Sequence, residues 1–367
     1  MYLRQLKLLD FKNYQEVNVA FESNVNCLVG DNGVGKTNLL DAIYYLSFCK
    51  SYFNPIDSQN IRSGAQLFAI HGTYQVDDAQ VQASCIFRDG QKKMRWDGKL
   101  CHSFAEHIGR VPLVMVSPND QQFILGGSEV RRKFIDGVIS QVDHDYLLHL
   151  IGYQKALLQR NKLLKQFAEE HRVDDTLLSV WDDQLVQHGV ALFQGRRDFL
   201  EAFTPLFEHY YRFLAHQTEQ PSLRYISQVE QPENYGSLLR DSLWRDCAAQ
   251  YTTVGPHKDD IDVWVGDFTV RRFGSQGQQK SVTLALKLAQ FDYIFKHFGV
   301  KPLLLLDDIF DKLDMRRISQ LLEMVGGDAF GQVFLTDTQP GRIEQIFNNY
   351  PHISYTLTHI PLSAVSG

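Results

Sequence analysis

The segment Gly30-Asp31-Asn32-Gly33-Val34-Gly35-Lys36-Thr37, followed by Asn38, is the most informative motif in this 367-residue chain. It fits the pattern G-x-x-x-x-G-K-[ST], in which glycines let backbone N–H groups cradle phosphates, the lysine reaches the β- and γ-phosphates and the hydroxyl ligates Mg²⁺. The apolar run Val25-Asn26-Cys27-Leu28-Val29 before it predicts a buried strand. The apolar spacing after it predicts a helix whose positive end faces the same phosphates. We therefore expect residues 30–38 to bind ATP, with Lys36 catalytic and Thr37 a Mg²⁺ ligand.

A second motif, Leu303-Leu304-Leu305-Leu306-Asp307-Asp308, is the expected partner of this phosphate loop. A fully apolar strand is typical of the centre of a parallel sheet, where both faces are covered. Asp307 at its carboxyl end is predicted to hold the Mg²⁺ shell. Asp308 is predicted to orient or deprotonate the attacking water. The pair of motifs indicates a nucleotide-hydrolysing protein.

The turn Ser275-Gln276-Gly277-Gln278, continued by Gln279, indicates the subclass. It is a small polar turn at the start of a predicted helix, which is a second anion-binding feature in the chain. Its place before the leucine strand is that of the signature sequence in ABC-type ATPases, where it caps the γ-phosphate of ATP held by a second subunit. We therefore predict an ATP-dependent head-to-tail homodimer. The alternative is an ordinary helix N-cap.

Three further segments occupy positions that such ATPases use. Asp311-Lys312-Leu313-Asp314 corresponds to the interface-crossing D-loop, and Asp311 is a predicted nucleotide contact. The predicted last strand ends at Thr336, where many relatives of this class carry a switch histidine, so the γ-phosphate sensor stays open. Ser117-Pro118-Asn119-Asp120-Gln121-Gln122 is the predicted Q-loop. Asn119, Asp120 and Gln121 remain alternatives for the residue that faces the metal.

Composition limits the remaining possibilities. The formal net charge of −6 gives no support to nucleic-acid binding, so any DNA contact must come from a local basic surface. The five cysteines are scattered without a CxxC pair, which argues against a disulfide framework or a zinc site and for a reducing compartment. No apolar run is long enough to span a bilayer and no secretion signal is recognisable. We expect a cytoplasmic protein that does not associate with membranes.

Periodicity along the chain predicts an α/β fold with two lobes. Strands are predicted between residues 3 and 21, and an antiparallel β-subdomain at 68–76, 81–87 and 93–96. Residues 128–214 have helical spacing without sustained heptads, which predicts a compact helical lobe rather than a long coiled coil. A further helix is predicted at 237–250. We assign 1–125 and 255–367 to an ABC-type ATPase head and 126–254 to the helical lobe.

Several stretches together resemble the RecF family, and their order agrees over essentially the whole chain. They are Leu9-Asp10-Phe11-Lys12-Asn13-Tyr14, the phosphate loop, Ser117-Pro118-Asn119-Asp120, Arg131-Arg132-Lys133-Phe134-Ile135-Asp136, Tyr153-Gln154-Lys155-Ala156-Leu157-Leu158-Gln159-Arg160-Asn161 and Gly255-Pro256-His257-Lys258-Asp259-Asp260. Two positions depart from the family, because Lys12 and Lys258 stand where arginine is usual. Lysine keeps the charge but not the planar bidentate fork.

The resemblance implies an ATPase that binds DNA as a dimer and acts in replication, recombinational repair and the SOS response to DNA damage. Its partners would be RecR and RecO, which load recombinase at gaps, and its DNA would be duplex, gapped or junction DNA without sequence preference. Lys12 would contact the nucleotide. Predicted DNA contacts from the helical lobe are Arg131, Arg132, Lys155, Lys162, Arg196 and Arg197. Solvated helix faces are the alternative for each of these cations.

Other classes of P-loop protein fit less well. A transporter subunit has fewer residues between phosphate loop and signature, and a long-armed SMC protein needs heptads and a CxxC hook. A kinase with one site per monomer leaves residues 275–279 unexplained, and a non-hydrolysing scaffold leaves Asp307 and Asp308 unexplained. Residues 255–260 are either a functional loop or a tight turn.

Overall fold

The computed structural model describes residues 1–170, 173–215, 219–229, 231–311, 315–326 and 329–360. The strands are β1 (Tyr2–Phe11), β2 (Tyr14–Ala20), β3 (Val25–Val29), β4 (Leu67–Val76), β5 (Ala79–Arg88), β6 (Gln91–Trp96), β7 (Lys99–Leu100), β8 (Leu113–Val116), β9 (Pro221–Ile226), β10 (Asp260–Val265), β11 (Phe268–Thr269), β12 (Leu303–Leu306), β13 (Val333–Asp337) and β14 (Tyr355–His359). The helices are α1 (Lys36–Phe48), α2 (Gln122–Leu125), α3 (Ser128–Val142), α4 (His144–Glu170), α5 (Asp175–Leu214), α6 (Tyr235–Asp241), α7 (Leu243–Ala249), α8 (Val270–Phe273), α9 (Gln276–Phe298), α10 (Met315–Gly326) and α11 (Pro340–Asn348).

The chain divides into two compact units, Met1–Asp120 with Gln290–Gly367 and Gln121–Ala289. The first boundary lies close to the predicted one at 125, whereas the second lies well beyond the predicted 255. Strand pairing explains part of this difference, because β10 runs antiparallel to β9 and is thereby held in the second unit. β9 was not expected from the sequence. It begins with proline and has few buried positions, as edge strands often do.

An antiparallel sheet in the order β2-β1-β4-β5-β6-β7 forms one layer of the first unit. It confirms the predicted strands between residues 3 and 21 and the predicted β-subdomain. In β1 the side chains of Leu6 and Leu8 are buried between exposed neighbours, so the apolar face is turned to the core. This face covers one side of the unit's hydrophobic cluster.

A parallel sheet in the order β14-β3-β13-β12-β8 forms the other layer and confirms the two predicted apolar strands. β3, which leads into the phosphate loop, and β12, the leucine strand, both pair with β13. One strand therefore separates the two nucleotide motifs. The strand ending near Thr336 is not the last in the chain, since β14 follows and pairs with β3.

Helix α1 joins the two layers, because its residues pack into the cluster formed by both sheets. Leu39, Leu40, Ile43 and Leu46 are fully buried. The amide of Gln332 adds a polar link, accepting from Leu3 N at 2.7 Å and donating to Leu3 O at 2.7 Å. The phosphate loop is thus attached to a helix that cannot move without disturbing the core.

The second unit is mainly helical. α4 and α5 pack against each other, and α5 continues for 40 residues. The predicted helix at 237–250 is instead two short helices, α6 and α7, which meet at Ser242. The Ser242 hydroxyl donates to Leu239 O at 2.9 Å, an interaction that competes with regular helix geometry.

Buried ion pairs hold α3, α5 and the segment before β10 together within this unit. Arg196 of α5 contacts Asp136 at 3.0 Å and Asp259 at 3.0 Å, and its side chain is 3% exposed. Arg131 of α3 binds Asp260 at 2.5 Å through Nε and at 2.9 Å through Nη2. Desolvation of each charge is offset only while its partner remains.

The segment Gly255–Asp260 makes several side-chain contacts with the helices of this unit. The His257 side chain lies 2.7 Å from the Tyr153 hydroxyl and 2.9 Å from Thr252 O. Burial lowers the pKa of His257 to about 4, so the imidazole is neutral at physiological pH. Asp259 and Asp260 supply the carboxylates for the two arginines. These contacts show how the segment is held, with Gly255, Pro256 and Asp259 buried and Lys258 exposed.

Within the described ranges no helix combines the length and the apolar character that a bilayer crossing requires. All five cysteines are free thiols.

Adjacent arginines on α5 allow a matched stability test. Arg196→Met should lower the free energy of unfolding by about 3–5 kcal/mol, because it leaves the buried Asp259 and the partly buried Asp136 without this cation. Arg197→Met, at an exposed position, should change it by less than about 0.5 kcal/mol. Urea denaturation monitored by circular dichroism measures both. Equal midpoints for the two variants would contradict the ion-pair account.

Candidate nucleotide site

The phosphate loop connects the end of β3 to the start of α1. Gly33 and Gly35 have φ angles of 83° and 99°, a region that side chains rarely adopt. A Cβ at Gly35 would also lie 2.6 Å from Asn13 Nδ2 and from the Tyr14 hydroxyl. Lys36 Nζ donates to Gly30 O at 2.8 Å and to Asp31 O at 2.9 Å, so the ammonium lies across the loop. The loop therefore has the backbone geometry that the motif requires.

A chain of hydrogen bonds connects this loop with two strands of the parallel sheet. Thr37 Oγ1 donates to Asp307 Oδ1 at 2.9 Å, and Thr336 Oγ1 donates to the same oxygen at 2.9 Å. Asp307 is 3% exposed, and burial raises its pKa although the two hydroxyl donors oppose the shift. The hydroxyl of Thr37 and the carboxylate of Asp307 are hard oxygen donors close together, the ligand type that Mg²⁺ prefers.

Asp308 follows in an uncommon backbone conformation, with φ 46°. Its N–H donates to Thr336 Oγ1 at 2.9 Å, so one threonine hydroxyl holds both aspartates. Non-glycine residues with positive φ cluster at functional sites, where surrounding bonds maintain them. Thr336, noted in the sequence only as a departure from histidine, thus fixes the geometry of the second motif.

Lys12 lies in the turn between β1 and β2 with φ 53°. Its Nζ is 2.6 Å from Asp41 Oδ2 on α1, and Asp41 is fully buried. Ser51 Oγ donates to the same carboxylate at 2.6 Å, and Tyr52 N donates to it at 2.7 Å. Next to Lys12, Asn13 Oδ1 accepts from Asn38 Nδ2 at 2.7 Å. Of the two predicted nucleotide contacts, Lys12 is therefore bound to the phosphate-loop helix through Asp41, and Asn38 is part of that helix.

Asp41 was not singled out in the sequence. The available signal was a carboxylate between the apolar positions Leu40 and Ala42 of a helix that must pack on a sheet. A carboxylate is buried only where it has partners. Because Lys12 is one of the partners of Asp41, this carboxylate positions a predicted nucleotide contact as well as packing in the core.

The start of the predicted Q-loop is anchored to the same region. Asp120 accepts a short hydrogen bond from the Tyr52 hydroxyl and another from Ser117 N at 2.6 Å. Among the three alternatives for the metal-facing residue, Asn119 is exposed, Asp120 is buried in this network and Gln121 is partly exposed. Tyr52 therefore links Asp120 to the segment that holds Asp41.

The predicted signature turn begins α9 as a capping box. Ser275 Oγ accepts from Gln278 N at 3.2 Å, and Gln278 Oε1 accepts from Ser275 N at 2.9 Å. Gln278 Nε2 also donates to Glu219 Oε1 at 3.0 Å. Ser275 and Gln276 are exposed. The turn satisfies the helix N-terminus and still presents its small polar residues to solvent.

The predicted D-loop lies largely outside the described residues, which omit Lys312, Leu313 and Asp314. The backbone of Asp311 ends a short 3₁₀ turn, Ile309–Asp311, directly after Asp308.

The predicted DNA contacts separate into buried and accessible cations. The prediction that Arg131 and Arg196 contact DNA disagrees with the structure, because their guanidinium groups are buried in the ion pairs of the second unit. Arg132 is partly buried, with Nη1 donating to Asp259 O at 2.6 Å. Lys155, Lys162 and Arg197 are exposed. An arginine next to another arginine in sequence carries no signal of which one has a buried partner.

Comparison with known proteins finds relatives that match nearly the whole chain. Residues 2–354 match the family model described as RecF/RecN/SMC N terminal domain. A DNA replication and repair protein RecF from Flavobacterium johnsoniae is 45% identical over 361 residues, covering 98% of this chain and 100% of that protein. A solved structure of the recombination mediator protein RecF-ATPrS in the RecFOR pathway has a TM-score of 0.88 at 27% identity, covering 98% of this chain and 96% of that one. The corresponding RecF-ATP structure has a TM-score of 0.85 at 30% identity, with 92% of each chain covered.

Substitution of Thr336 tests the hydrogen-bond chain. Thr336→Val keeps the size of the side chain but removes the hydroxyl that holds both aspartates. Because that hydroxyl lowers the pKa of Asp307, its loss should raise this pKa further. We expect ATP turnover to fall about tenfold, equivalent to about 1.4 kcal/mol, while ATP affinity changes less than about threefold. Thr336→Ser, which keeps the hydroxyl, is the control. Steady-state phosphate release and equilibrium nucleotide binding separate the two effects, and a Val variant with full turnover would contradict the assignment.

Proposed function

The chain belongs to the RecF family, and from that premise we propose that it is an ATP-driven DNA-binding switch of recombinational repair. In this proposal ATP binding joins two copies head to tail on DNA, and slow hydrolysis releases them. Support comes chiefly from one observation, the contact of Thr37 with Asp307 beneath a complete phosphate loop.

ATP binding begins with the phosphate loop in this mechanism. The backbone N–H groups of Gly33 to Thr37 and the N-terminus of α1 would hold the phosphates. Lys36 would exchange its two carbonyl contacts for phosphate oxygens, which bind an ammonium more strongly because they carry charge. Lys12 would move from Asp41 toward the nucleotide or remain beside it as a fixed positive charge.

Thr37 and Asp307 would hold Mg²⁺, which neutralises charge on the β- and γ-phosphates. Asp307 must be ionised for this role, and its two hydroxyl donors favour the ionised form against the effect of burial. Asp308 would orient the attacking water or accept its proton. Because aspartate is shorter than glutamate, its reach to that water is limited and we expect slow turnover.

Dimerisation supplies the missing part of each site in this proposal. Ser275, Gln276 and Gly277 are predicted to approach the γ-phosphate of ATP bound to the partner copy, and Asp311 to lie near the same interface. The capping turn is compatible with this role, since Ser275 and Gln276 are exposed to solvent. One ATP would be held at each end of the interface.

DNA binding is proposed for the ATP-bound dimer, with phosphate contacts from Arg132 and Arg197 rather than the two buried arginines. These contacts would position the protein without reading sequence. By family, RecO and RecR are the proposed partners in loading recombinase at gaps, and the DNA is duplex with a gap or junction. The cytoplasm is the proposed location, consistent with free thiols.

The mass of the protein in solution, with and without ATP, tests the switch. The native chain should shift from monomer to dimer with ATP, and Asp308→Asn should prolong the dimer by slowing hydrolysis. Ser275→Asp keeps a helix-capping oxygen but places negative charge toward the partner's γ-phosphate, so it should abolish the dimer without lowering the unfolding midpoint. Ser275→Thr is the matched control that keeps the hydroxyl.

A monomeric mass together with undiminished ATP hydrolysis would contradict the proposal and favour a P-loop enzyme with one site per monomer. With the trapped Asp308→Asn dimer, duplex DNA binding should require ATP. Equal DNA affinity with and without ATP would contradict the proposal that ATP controls DNA binding.

A further inference from the structure

Helix α4 has one buried face and, on another side, a row of aliphatic side chains and lysines that is exposed among the residues that the structure describes. Its inner face carries Tyr146, Tyr153, Ala156, Arg160, Leu164 and Phe167, all buried. Arg160 is fully buried and contacts Asp182 and Asp246 at 2.6 Å each. This face accounts for the attachment of α4 to the rest of the unit.

The outer face carries a second row, which we call the α4 stripe, consisting of Leu148, Ile151, Lys155, Leu158 and Lys162. The spacing alternates between three and four residues, so the side chains lie on one side of the helix. Leu148 is 48% exposed, Ile151 48% and Leu158 56%. From end to end the row measures about 21 Å at 1.5 Å per residue. Single exposed leucines need no explanation, but three aliphatic side chains in register on one helix do.

The charge of the α4 stripe is uniform. Between residues 146 and 168 the helix contains three lysines and an arginine and no aspartate or glutamate. Arg160 is paired with its aspartates on the inner face, so the positive charge of the outer face comes from Lys155, Lys162 and Lys165, and Glu169 follows one turn after Lys165. An apolar row flanked by lysines is complementary to an apolar row flanked by carboxylates.

We propose that the α4 stripe is a docking surface for an amphipathic, acidic helix of a partner protein. Leu148, Ile151 and Leu158 would pack against the apolar residues of that helix. Lys155 and Lys162 would pair with its carboxylates at the edge of the contact. Recognition of this kind uses anchors at i, i+3, i+7 and similar positions along one helix face.

A second copy of this chain is a poorer occupant of the α4 stripe. Two copies facing each other would bring lysines against lysines while burying the leucines between them, and like charges in such a contact are destabilising. Duplex DNA would use the lysines but would leave three exposed aliphatic side chains without a partner, since backbone phosphates offer only polar contacts. An acidic helix uses both parts of the surface.

None of the stripe residues is among those proposed to bind ATP, and the inference does not depend on the proposed switch. The variants below should therefore keep the ATP-dependent change of mass if that switch exists. All four substituted positions of the stripe are exposed, so the unfolding midpoint should also be unchanged.

A designed peptide tests the docking surface on the full chain. The probe is a fluorescent 21-residue helix with Leu and Ile at the a and d positions of each heptad and Glu at e and g. The control peptide carries Lys in place of each Glu. Fluorescence anisotropy should show binding of the Glu peptide alone, weaker at high salt. The double variants Ile151→Asp with Leu158→Asp, and Lys155→Glu with Lys162→Glu, should each weaken it at least about tenfold.

Two exposed positions elsewhere in the unit give matched controls. Val180→Asp on α5 and Lys133→Glu on α3 should change binding less than about twofold. Equal affinity for both peptides, or an unchanged affinity in the Ile151 and Leu158 variant, would overturn the proposal. A third outcome would also overturn it and assign the surface to DNA. In that outcome the lysine variant weakens binding of a 30-base-pair duplex, while the aliphatic variant changes neither probe.

Discussion

Thr37 and Asp307 lie 270 positions apart in the chain, yet their side-chain oxygens are 2.9 Å apart. That contact depends on the order of the parallel sheet, in which β13 separates β3 from β12 and brings Thr336 to the same edge. Thr336 then bonds to Asp307 and to the backbone of Asp308. The rest of the first unit supports the contact between Thr37 and Asp307, because α1 and the antiparallel sheet hold the phosphate loop against a packed core.

Buried charge has a different function in each unit. In the first, the Lys12–Asp41 pair and the Tyr52–Asp120 hydrogen bond connect the phosphate-loop helix to the neighbouring loops, so polar groups are buried where a ligand is expected. In the second, Arg131, Arg196 and Arg160 bind carboxylates inside the helical packing. Family-like motifs therefore contain both functional and structural cations, and burial distinguishes them.

The sequence predicted the parts of the site that short-range patterns encode. The phosphate loop, the leucine strand and the capping turn each require particular residues at neighbouring positions, and the antiparallel strands are marked by alternation and by turns. The burial of Arg131 and Arg196 could not be predicted, because their partners Asp260 and Asp259 are more than fifty residues away. β9 was missed since an edge strand needs few apolar residues, and Asp41 was missed because its partners come from two separate segments, Lys12 and residues 51–52. Sequence periodicity reflects local structure, whereas these contacts depend on tertiary structure.

We propose that Thr37 and Asp307 form the metal position of an ATP site. The most direct test replaces Mg²⁺ with Mn²⁺ and follows its binding by electron paramagnetic resonance in the presence of ATP. Asp307→Ala and Thr37→Val should each lower Mn²⁺ affinity by about 10–100-fold while ATP still binds through the phosphate loop. Unchanged Mn²⁺ affinity in both variants would contradict the claim, since the metal would then be held elsewhere.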